Sequence, residues 1–228
     1  MMQNPPPMSA LAELRIAAEA CTRCRLAESR TNVVFGAGAD DADLMFVGEA
    51  PGRNEDLAGQ PFVGAAGRLL DTLLAEVGIP RDRTYIANVL KCRPPGNRDP
   101  LPDEIDACKG HLRGQLEMID PTVVVTLGNF ASKLLLKTET GITRLRGRAY
   151  PWWQGKTVIP TYHPAAALRG GDRITDLMRS DFHLMREHME RSESSTAARP
   201  AEGVEADAGD SAATDGSAPS EQLGLFRA

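Results

Sequence analysis

The chain has 228 residues, of which 42% are hydrophobic, and a formal net charge of −5. This length and apolar content suit one globular domain with a substantial core, with room for a tail. The N-terminus lacks the features of a secretory signal, and no apolar run approaches the ~20 residues that cross a bilayer, so we expect a cytoplasmic protein without membrane association.

The negative charge is concentrated near the C-terminus. From Arg191 onward there are three arginines against seven acidic residues, so most of the net charge lies there. Two basic clusters lie earlier, one formed by Lys91, Arg93 and Arg98 and the other by Arg144, Arg146 and Arg148. An acidic total therefore does not exclude a basic groove for nucleic acid.

Strand and helix patterns alternate over the first 190 residues. Apolar, β-rich runs occupy residues 44–50, 84–91, 121–129 and 157–164. They are nearly continuous, which is typical of strands buried on both faces. Helical patterns lie between and after them, at 67–79, 102–119 and 172–190. This alternation predicts a parallel sheet between two helical layers, with the ligand site just beyond the carboxyl ends of the strands.

The four cysteines predict a metal centre. Cys21 and Cys24 form a CxxC pair at the end of an N-terminal helix, Cys92 follows the second strand, and Cys108 lies on the inner face of the next helix. The alternative is four unrelated buried thiols. Zinc and a 4Fe–4S cluster both accept four thiolates, and the spacing does not choose between them. We expect such a centre to anchor the basic loop that carries Lys91.

Glycine-rich segments follow the first strand. Residues 48–56 read GEAPGRNED and residues 59–67 read GQPFVGAAG. Neither is a dinucleotide-binding or Walker motif, although glycines let a backbone approach a ligand closely.

Together with NVLKCRPPGNR (88–98), HPAAALR (163–169) and the four cysteines, these segments resemble the iron–sulfur uracil-DNA glycosylases, often called family 4. The resemblance covers roughly residues 10–190. It implies a three-layer α/β/α sandwich around a four-stranded parallel sheet. It also implies a mainly structural 4Fe–4S cluster on Cys21, Cys24, Cys92 and Cys108, whereas the residues alone leave zinc open.

The activity implied by the resemblance is hydrolysis of the bond between uracil and deoxyribose after base flipping, which leaves an abasic site for base excision repair. We expect no backbone cleavage, because no lysine occupies a recognisable Schiff-base position. The main departure from the family is Arg53 and Asn54, where many members have acidic residues. Relatives that become covalently linked to uracil-DNA carry GEQPG and a basic, His-containing insertion near the first motifs. This chain reads GEAPG and lacks the insertion, so we expect turnover rather than crosslinking. A different class of protein remains open, namely a non-catalytic iron–sulfur module that binds DNA or senses redox state.

By the resemblance, Phe62 is the floor on which uracil stacks, and the amide of Asn88 pairs with its N3–H and O4 edge. Neutral His163 donates to O2 as charge builds on the departing base. Glu49 positions or activates the attacking water. Ala50 replaces the water-activating aspartate of other uracil glycosylases, and Glu55 crowds the thymine methyl group.

Leu168 is predicted to be the wedge that fills the gap left by the flipped base, with Arg169 on a phosphate. Arg98, Arg144 and Arg146 are the further phosphate candidates, so affinity should fall steeply with salt. The partner is single- or double-stranded DNA that contains uracil, and we expect a monomer.

We divide the chain into a catalytic domain at 1–190 and a disordered acidic tail at 191–228. Residues 192–220 are mostly small or acidic and bury too little apolar surface to offset ordering entropy. Gln222–Phe226 (QLGLF) resembles the peptide by which bacterial repair proteins dock on the sliding clamp.

Overall fold

The computed structural model describes residues 8–197, with side chains described up to residue 191. The strands are β1 (Ala37–Gly38), β2 (Leu44–Gly48), β3 (Tyr85–Asn88), β4 (Val123–Leu127), β5 (Tyr150–Pro151) and β6 (Thr157–Thr161). The helices are α1 (Ala10–Glu19), α2 (Arg53–Ala58), α3 (Ala65–Glu76), α4 (Pro102–Ile119), α5 (Asn129–Leu136), α6 (Ile142–Leu145), α7 (Pro164–Gly170) and α8 (Asp172–Ala197).

The sheet has the strand order β1-β3-β2-β4-β6-β5. Its four inner strands are parallel and correspond to the four apolar runs of the sequence. The expectation of four strands is corrected to six, because β1 and β5 pair antiparallel at the two edges. Each edge strand has only two residues, which is too short to produce a recognisable periodicity.

Helices cover both faces of the sheet, as the alternation predicted. Met45 and Val47 of β2 share a core cluster with Leu112 and Leu116 of α4. Leu44 and Phe46, which alternate with them along β2, belong to a second cluster with Leu70, Leu73, Met178 and Phe182 from α3 and α8. Because successive side chains of a strand point to opposite faces, these two clusters define a three-layer α/β/α sandwich.

The register brings the ends of the inner strands together. Gly48 at the end of β2 is paired with Asn88 at the end of β3. Leu127 at the end of β4 is paired with Thr161 at the end of β6. The loops that follow these strands therefore meet at one edge of the sheet, where ligands of parallel α/β folds bind.

Helix α8 reaches Ala197, so the predicted boundary at residue 190 falls inside it. Residues 1–7 and 198–228 lie outside the described residues, and so does the predicted clamp peptide at 222–226. Within the described part of the chain, no helix combines the length and apolar character needed to cross a membrane.

Candidate active site

A cleft of about 910 Å³ opens at the carboxyl ends of the parallel strands. The residues predicted to form a pocket all line it, and these are Glu49, Ala50, Glu55, Phe62, Asn88 and His163. Arg98 and Arg169 also line it. The structure thus brings together groups that lie more than 100 residues apart in the sequence.

Asn88 ends β3 with its side chain inside the cleft. The residue is only 2% exposed, and its amide oxygen is the one buried side-chain polar atom without a hydrogen-bond partner in the described residues. Gly48 lies directly opposite, and a Cβ added there would overlap the Asn88 amide oxygen and press on the Phe62 ring. A buried acceptor without a partner is costly, so this one is available to a donor on a ligand.

His163 is held as a neutral hydrogen-bond donor. Its Nδ1 accepts the backbone N–H of Ala165 at 3.1 Å, at the start of α7. The pKa of His163 is lowered to about 4, mainly by burial and then by the charge of Arg169, while the charge of Glu55 opposes the shift. With Nδ1 acting as an acceptor, the proton of the neutral ring resides on Nε2.

Phe62 occupies a constrained backbone position beside His163. Its φ is +53°, in the left-handed region that bulky side chains rarely adopt. The ring centroids of Phe62 and His163 are 5.6 Å apart. Gly67 of α3 lies so close to the Phe62 carbonyl that any Cβ at residue 67 would overlap it. The phenyl ring is thereby fixed as one wall of the cleft.

Glu55 holds the loop that presents Phe62. One carboxylate oxygen accepts the backbone N–H groups of Val63 at 3.0 Å and Gly64 at 3.1 Å. The two N–H groups lie immediately before α3. A carboxylate is stabilised at this end of the helix by the free N–H groups and the positive end of the helix dipole. The predicted exclusion of a thymine methyl group by Glu55 stays a prediction.

Glu49 follows β2 and faces the cleft. Burial raises the pKa of its carboxyl group, and the nearby charge of Asp99 raises it further. Asp99 also lines the cleft and was not recognised from the sequence. A carboxylate that is harder to ionise is typical of groups that exchange protons with a substrate or water.

The predicted DNA-contacting residues divide into two groups. Leu168 is 53% exposed on α7, and Arg169 beside it lines the cleft. Arg144 is exposed but lines a separate groove with Arg148 and Tyr150.

Arg98 and Arg146 each pair with a buried carboxylate. Arg98 makes a two-fold pair with the fully buried carboxylate of Glu104, at 2.6 and 2.9 Å. Arg146 makes a similar pair with buried Asp181, at 2.7 and 2.9 Å. Because a buried carboxylate requires its counter-charge, both guanidinium groups have a structural role. Their contact with phosphate stays a prediction.

The four cysteines come from three elements that pack together. Cys21 and Cys24 follow α1, Cys92 lies in the loop after β3, and Cys108 lies on α4. All four are free thiols. Burial is the main cause that raises the pKa of Cys92 and of Cys108. Charge on Cys24 and Cys21 adds to the shift of Cys92, and charge on Cys92 and Cys24 adds to that of Cys108.

The surroundings of these thiols suit thiolate ligands. Arg30 donates to the Cys92 sulfur at 3.4 Å, Arg23 donates to the Cys21 sulfur at 3.4 Å, and the backbone N–H of Lys91 donates to the Cys108 sulfur at 3.2 Å. Burial opposes ionisation of Cys21, but the hydrogen bonds and charge of Arg23 outweigh it and lower the pKa. Among the described residues, no group of three or more His, Cys, Asp or Glu side chains is arranged around a single metal position. The donor set itself, four thiols with cationic and backbone donors, fits a thiolate-ligated centre.

The sequence suggested that the basic loop carrying Lys91 is exposed, but the Lys91 side chain is buried. It is only 1% exposed, and its ammonium donates to the backbone carbonyl of Asn88 at 2.8 Å. The sequence signal was present, since Lys91 directly continues the apolar run of the second strand. Lysine in such a position is more often the solvated end of a strand, which is why the burial was missed.

Comparison with known proteins places this arrangement in a family. The family model described as the uracil DNA glycosylase superfamily matches residues 35–183. A protein of Sulfurisphaera tokodaii named Type-4 uracil-DNA glycosylase is 45% identical over 79% of this chain and 85% of its own length. Proteins of the same name from Archaeoglobus fulgidus and Thermotoga maritima are 50% and 49% identical. These matches cover 65% and 70% of this chain, and 78% and 82% of the relatives.

Proposed function

The chain belongs to the uracil DNA glycosylase superfamily, and from this premise we propose that it is a monofunctional uracil-DNA glycosylase of base excision repair. Three relatives of similar length bear the name Type-4 uracil-DNA glycosylase. The observation that carries the proposal is the unpartnered, buried amide oxygen of Asn88, in a cleft that also holds Phe62 and the neutral ring of His163.

Base selection follows from the amide of Asn88. The base must leave the duplex stack to reach the cleft, where uracil packs against the ring of Phe62. The amide oxygen of Asn88 accepts the uracil N3–H, and the amide nitrogen donates to O4. Cytosine presents an acceptor at N3 and a donor at C4, so it would leave the buried oxygen of Asn88 facing another acceptor.

Bond cleavage uses His163 and Glu49. As the bond between the sugar C1′ and uracil N1 breaks, negative charge accumulates on uracil, and the Nε2–H of His163 donates to O2. Glu49 orients the water whose oxygen bonds to C1′ and takes up the proton released in that step. The departing uracil anion takes up a proton from solvent and Glu49 releases one to solvent, so the products are free uracil and an abasic site.

We propose that no strand cleavage follows, and Lys91 is not placed to act as a lyase nucleophile. A lyase needs an amine that can attack C1′, and the ammonium of Lys91 is buried and hydrogen-bonded to the carbonyl of Asn88. Arg169 and exposed Arg144 are assigned to phosphates, with Leu168 as the wedge that fills the flipped base's position.

The decisive assay is release of free base from DNA containing uracil, thymine or hypoxanthine, in single strands and duplexes. We expect uracil release without strand cleavage. A protein that binds DNA but releases no uracil would instead support the non-catalytic iron–sulfur module.

For the cysteine centre we propose a 4Fe–4S cluster on Cys21, Cys24, Cys92 and Cys108, with zinc as the alternative. When bound, the cluster supplies a rigid link between α1, the loop after β3 and α4, and no chemical step passes through it. The supporting observation is the set of N–H donors aimed at three of the four sulfurs.

Protein purified without oxygen is predicted to be brown and to contain about four iron atoms per chain, as the cluster's composition requires. Replacing Cys108 with serine should abolish the visible absorbance, because it removes one of the four ligands. Colourless protein with one zinc per chain would contradict the iron–sulfur assignment.

The acid limb of kcat/KM is predicted to report Glu49. Burial and Asp99 both raise the pKa of Glu49, so removing the charge of Asp99 lowers that pKa. Glu49 then stays ionised to lower pH, and Asp99→Asn should move the acid limb to lower pH.

The matched control is Asp106→Asn, which changes an exposed aspartate that pairs with Lys109. It should leave the pH profile unchanged. An acid limb that stays in place or moves to higher pH in Asp99→Asn would remove Glu49 from this role.

For the C-terminal segment we propose that its Gln222–Phe226 peptide docks on the bacterial sliding clamp. Deleting residues 221–228 is expected to leave uracil release intact and to abolish clamp binding, measured by surface plasmon resonance. Equal clamp affinity with and without these residues would end the idea.

We further propose that the enzyme acts as a cytoplasmic monomer.

A further inference from the structure

Lys91 lies between the cysteine centre and the proposed base-reading residue. Its ammonium has two oxygen partners, the backbone carbonyl of Asn88 at 2.8 Å and the side-chain oxygen of Gln115. It also lies 6.0 Å from the centre of the Phe35 ring. A buried cation is tolerated only where such partners replace water, so this geometry is strongly specified.

The Asn88 carbonyl depends on this contact. Strand β1 pairs only with Tyr85 and Ile86 on the outer side of β3, and it ends before Asn88 is reached. The ammonium of Lys91 therefore supplies the donor that a neighbouring strand would otherwise provide. Moving that carbonyl would rotate the peptide that carries the Asn88 side chain.

Gln115 fixes the ammonium from the other side. Its amide nitrogen donates to the carbonyl of Phe35 at 2.8 Å and contacts the Tyr85 hydroxyl at 3.1 Å. Gln115 is fully buried on α4, and it lies on the same face of the helix as Cys108, about two turns further along. The position of the ammonium is thus set by α4 and by the loop at Phe35, not by the cleft.

The backbone of Lys91 completes the connection. Its N–H donates to the Cys108 sulfur at 3.2 Å, and its carbonyl accepts the N–H of Val34 at 2.8 Å. One residue therefore bonds a cysteine of the proposed metal centre through its backbone and the Asn88 peptide through its side chain.

We propose that Lys91 is a positioning residue for uracil selection, which orients the amide of Asn88 by holding its backbone carbonyl. This inference rests on the proposed glycosylase function. Lys91 touches no substrate, and it makes the geometry of the base-reading amide depend on the packing of α4 and the cysteine loop.

The test is Lys91→Met, which keeps an unbranched side chain and removes the donor. We expect the dissociation constant for free uracil, measured by NMR titration, to rise about tenfold, the effect of losing one charge-assisted hydrogen bond. Iron content and visible absorbance should be retained, because the bond to Cys108 comes from the backbone.

The matched control is Lys156→Met. Lys156 is also buried, bonds to Asp120 and lies 5.3 Å from the Trp153 ring. Unlike Lys91, which bonds to Asn88, Lys156 bonds to Asp120 and Gln154, and neither of these lines the cleft. Its replacement should therefore change uracil affinity less than twofold. Equal loss in both variants would mean that removing any buried lysine loosens the fold, and it would overturn the proposal.

A double-mutant cycle separates positioning from general structure. If Lys91 acts through Asn88, then Lys91→Met should have no further effect on uracil affinity in an Asn88→Ala background. The same tenfold loss in both backgrounds would overturn the proposal.

Lys91→Gln, whose neutral amide ends one bond short of the ammonium, is made in parallel in case Lys91→Met does not fold. It should weaken uracil binding in the same direction, and unchanged affinity would overturn the proposal. Absence of uracil release by the wild-type chain would instead count against the proposed function.

Discussion

Replacing His163 with alanine is expected to lower the single-turnover rate of uracil release by a factor of about 10²–10³, the usual contribution of one fixed donor to developing negative charge. The geometry specifies the donor, because Nδ1 is engaged by the backbone N–H of Ala165 and the remaining proton is on Nε2. Rapid-quench measurement with uracil-containing DNA gives the rate. With the pKa of His163 lowered to about 4, the loss should be the same at pH 6 and pH 8.

Two further variants separate catalysis from folding. His163 also caps α7, so alanine removes a cap contributing about 1 kcal/mol. His163→Asn retains a good cap acceptor on a shorter side chain and should be more stable than the alanine variant while remaining slow. Exposed His183 on α8 provides a neutral control. A loss of less than threefold for His163→Ala would remove this residue from the mechanism.

Replacing Gly67 with alanine is expected to damage both stability and uracil binding. The added methyl group would overlap the carbonyl of Phe62, which is backbone and cannot rotate away. Relief of this overlap must shift Phe62, whose backbone already has a positive φ. We expect the free energy of unfolding to fall by about 2–3 kcal/mol, in the range of overpacked cores, and uracil affinity to fall with it. Denaturant unfolding and uracil titration measure the two effects.

Gly110→Ala is the matched control, because Gly110 also lies in a helix and nothing stands within 4 Å of its added methyl group. Alanine is the better helix former there, so the free energy of unfolding should rise by about 0.5–1 kcal/mol. If the Phe62 contact constrains residue 67, the free energy of unfolding should fall in Gly67→Ala and rise in Gly110→Ala. Equal changes at both positions would mean that Gly67 does not constrain the cleft.

The sequence predicted the central architecture because buried parallel strands have a strong signature. All four apolar runs became the inner strands of the sheet, and the site lies beyond their carboxyl ends as expected. Edge strands β1 and β5 were missed, because two residues at the margin of a sheet carry no periodicity. Their pairing depends on contacts with β3 and β6 that are distant in the sequence.

The candidate site was predictable where a motif carried the residue. Phe62, Asn88 and His163 were located in this way, and the structure places them in one cleft. The arginines were less predictable, because a basic residue next to a motif has the same appearance whether it meets phosphate or a buried carboxylate. Glu104 and Asp181, the carboxylates that engage Arg98 and Arg146, lie 6 and 35 residues away.

The central claim is that the cleft between Phe62 and Asn88 is a slot for an extruded uracil. A crystal structure of the protein with free uracil tests it most directly. We predict that the base stacks on the Phe62 ring, with its N3–H directed at the Asn88 amide oxygen and O2 at His163 Nε2. Uracil bound outside this cleft, or bound within it with its N3–H directed away from Asn88, would contradict the account.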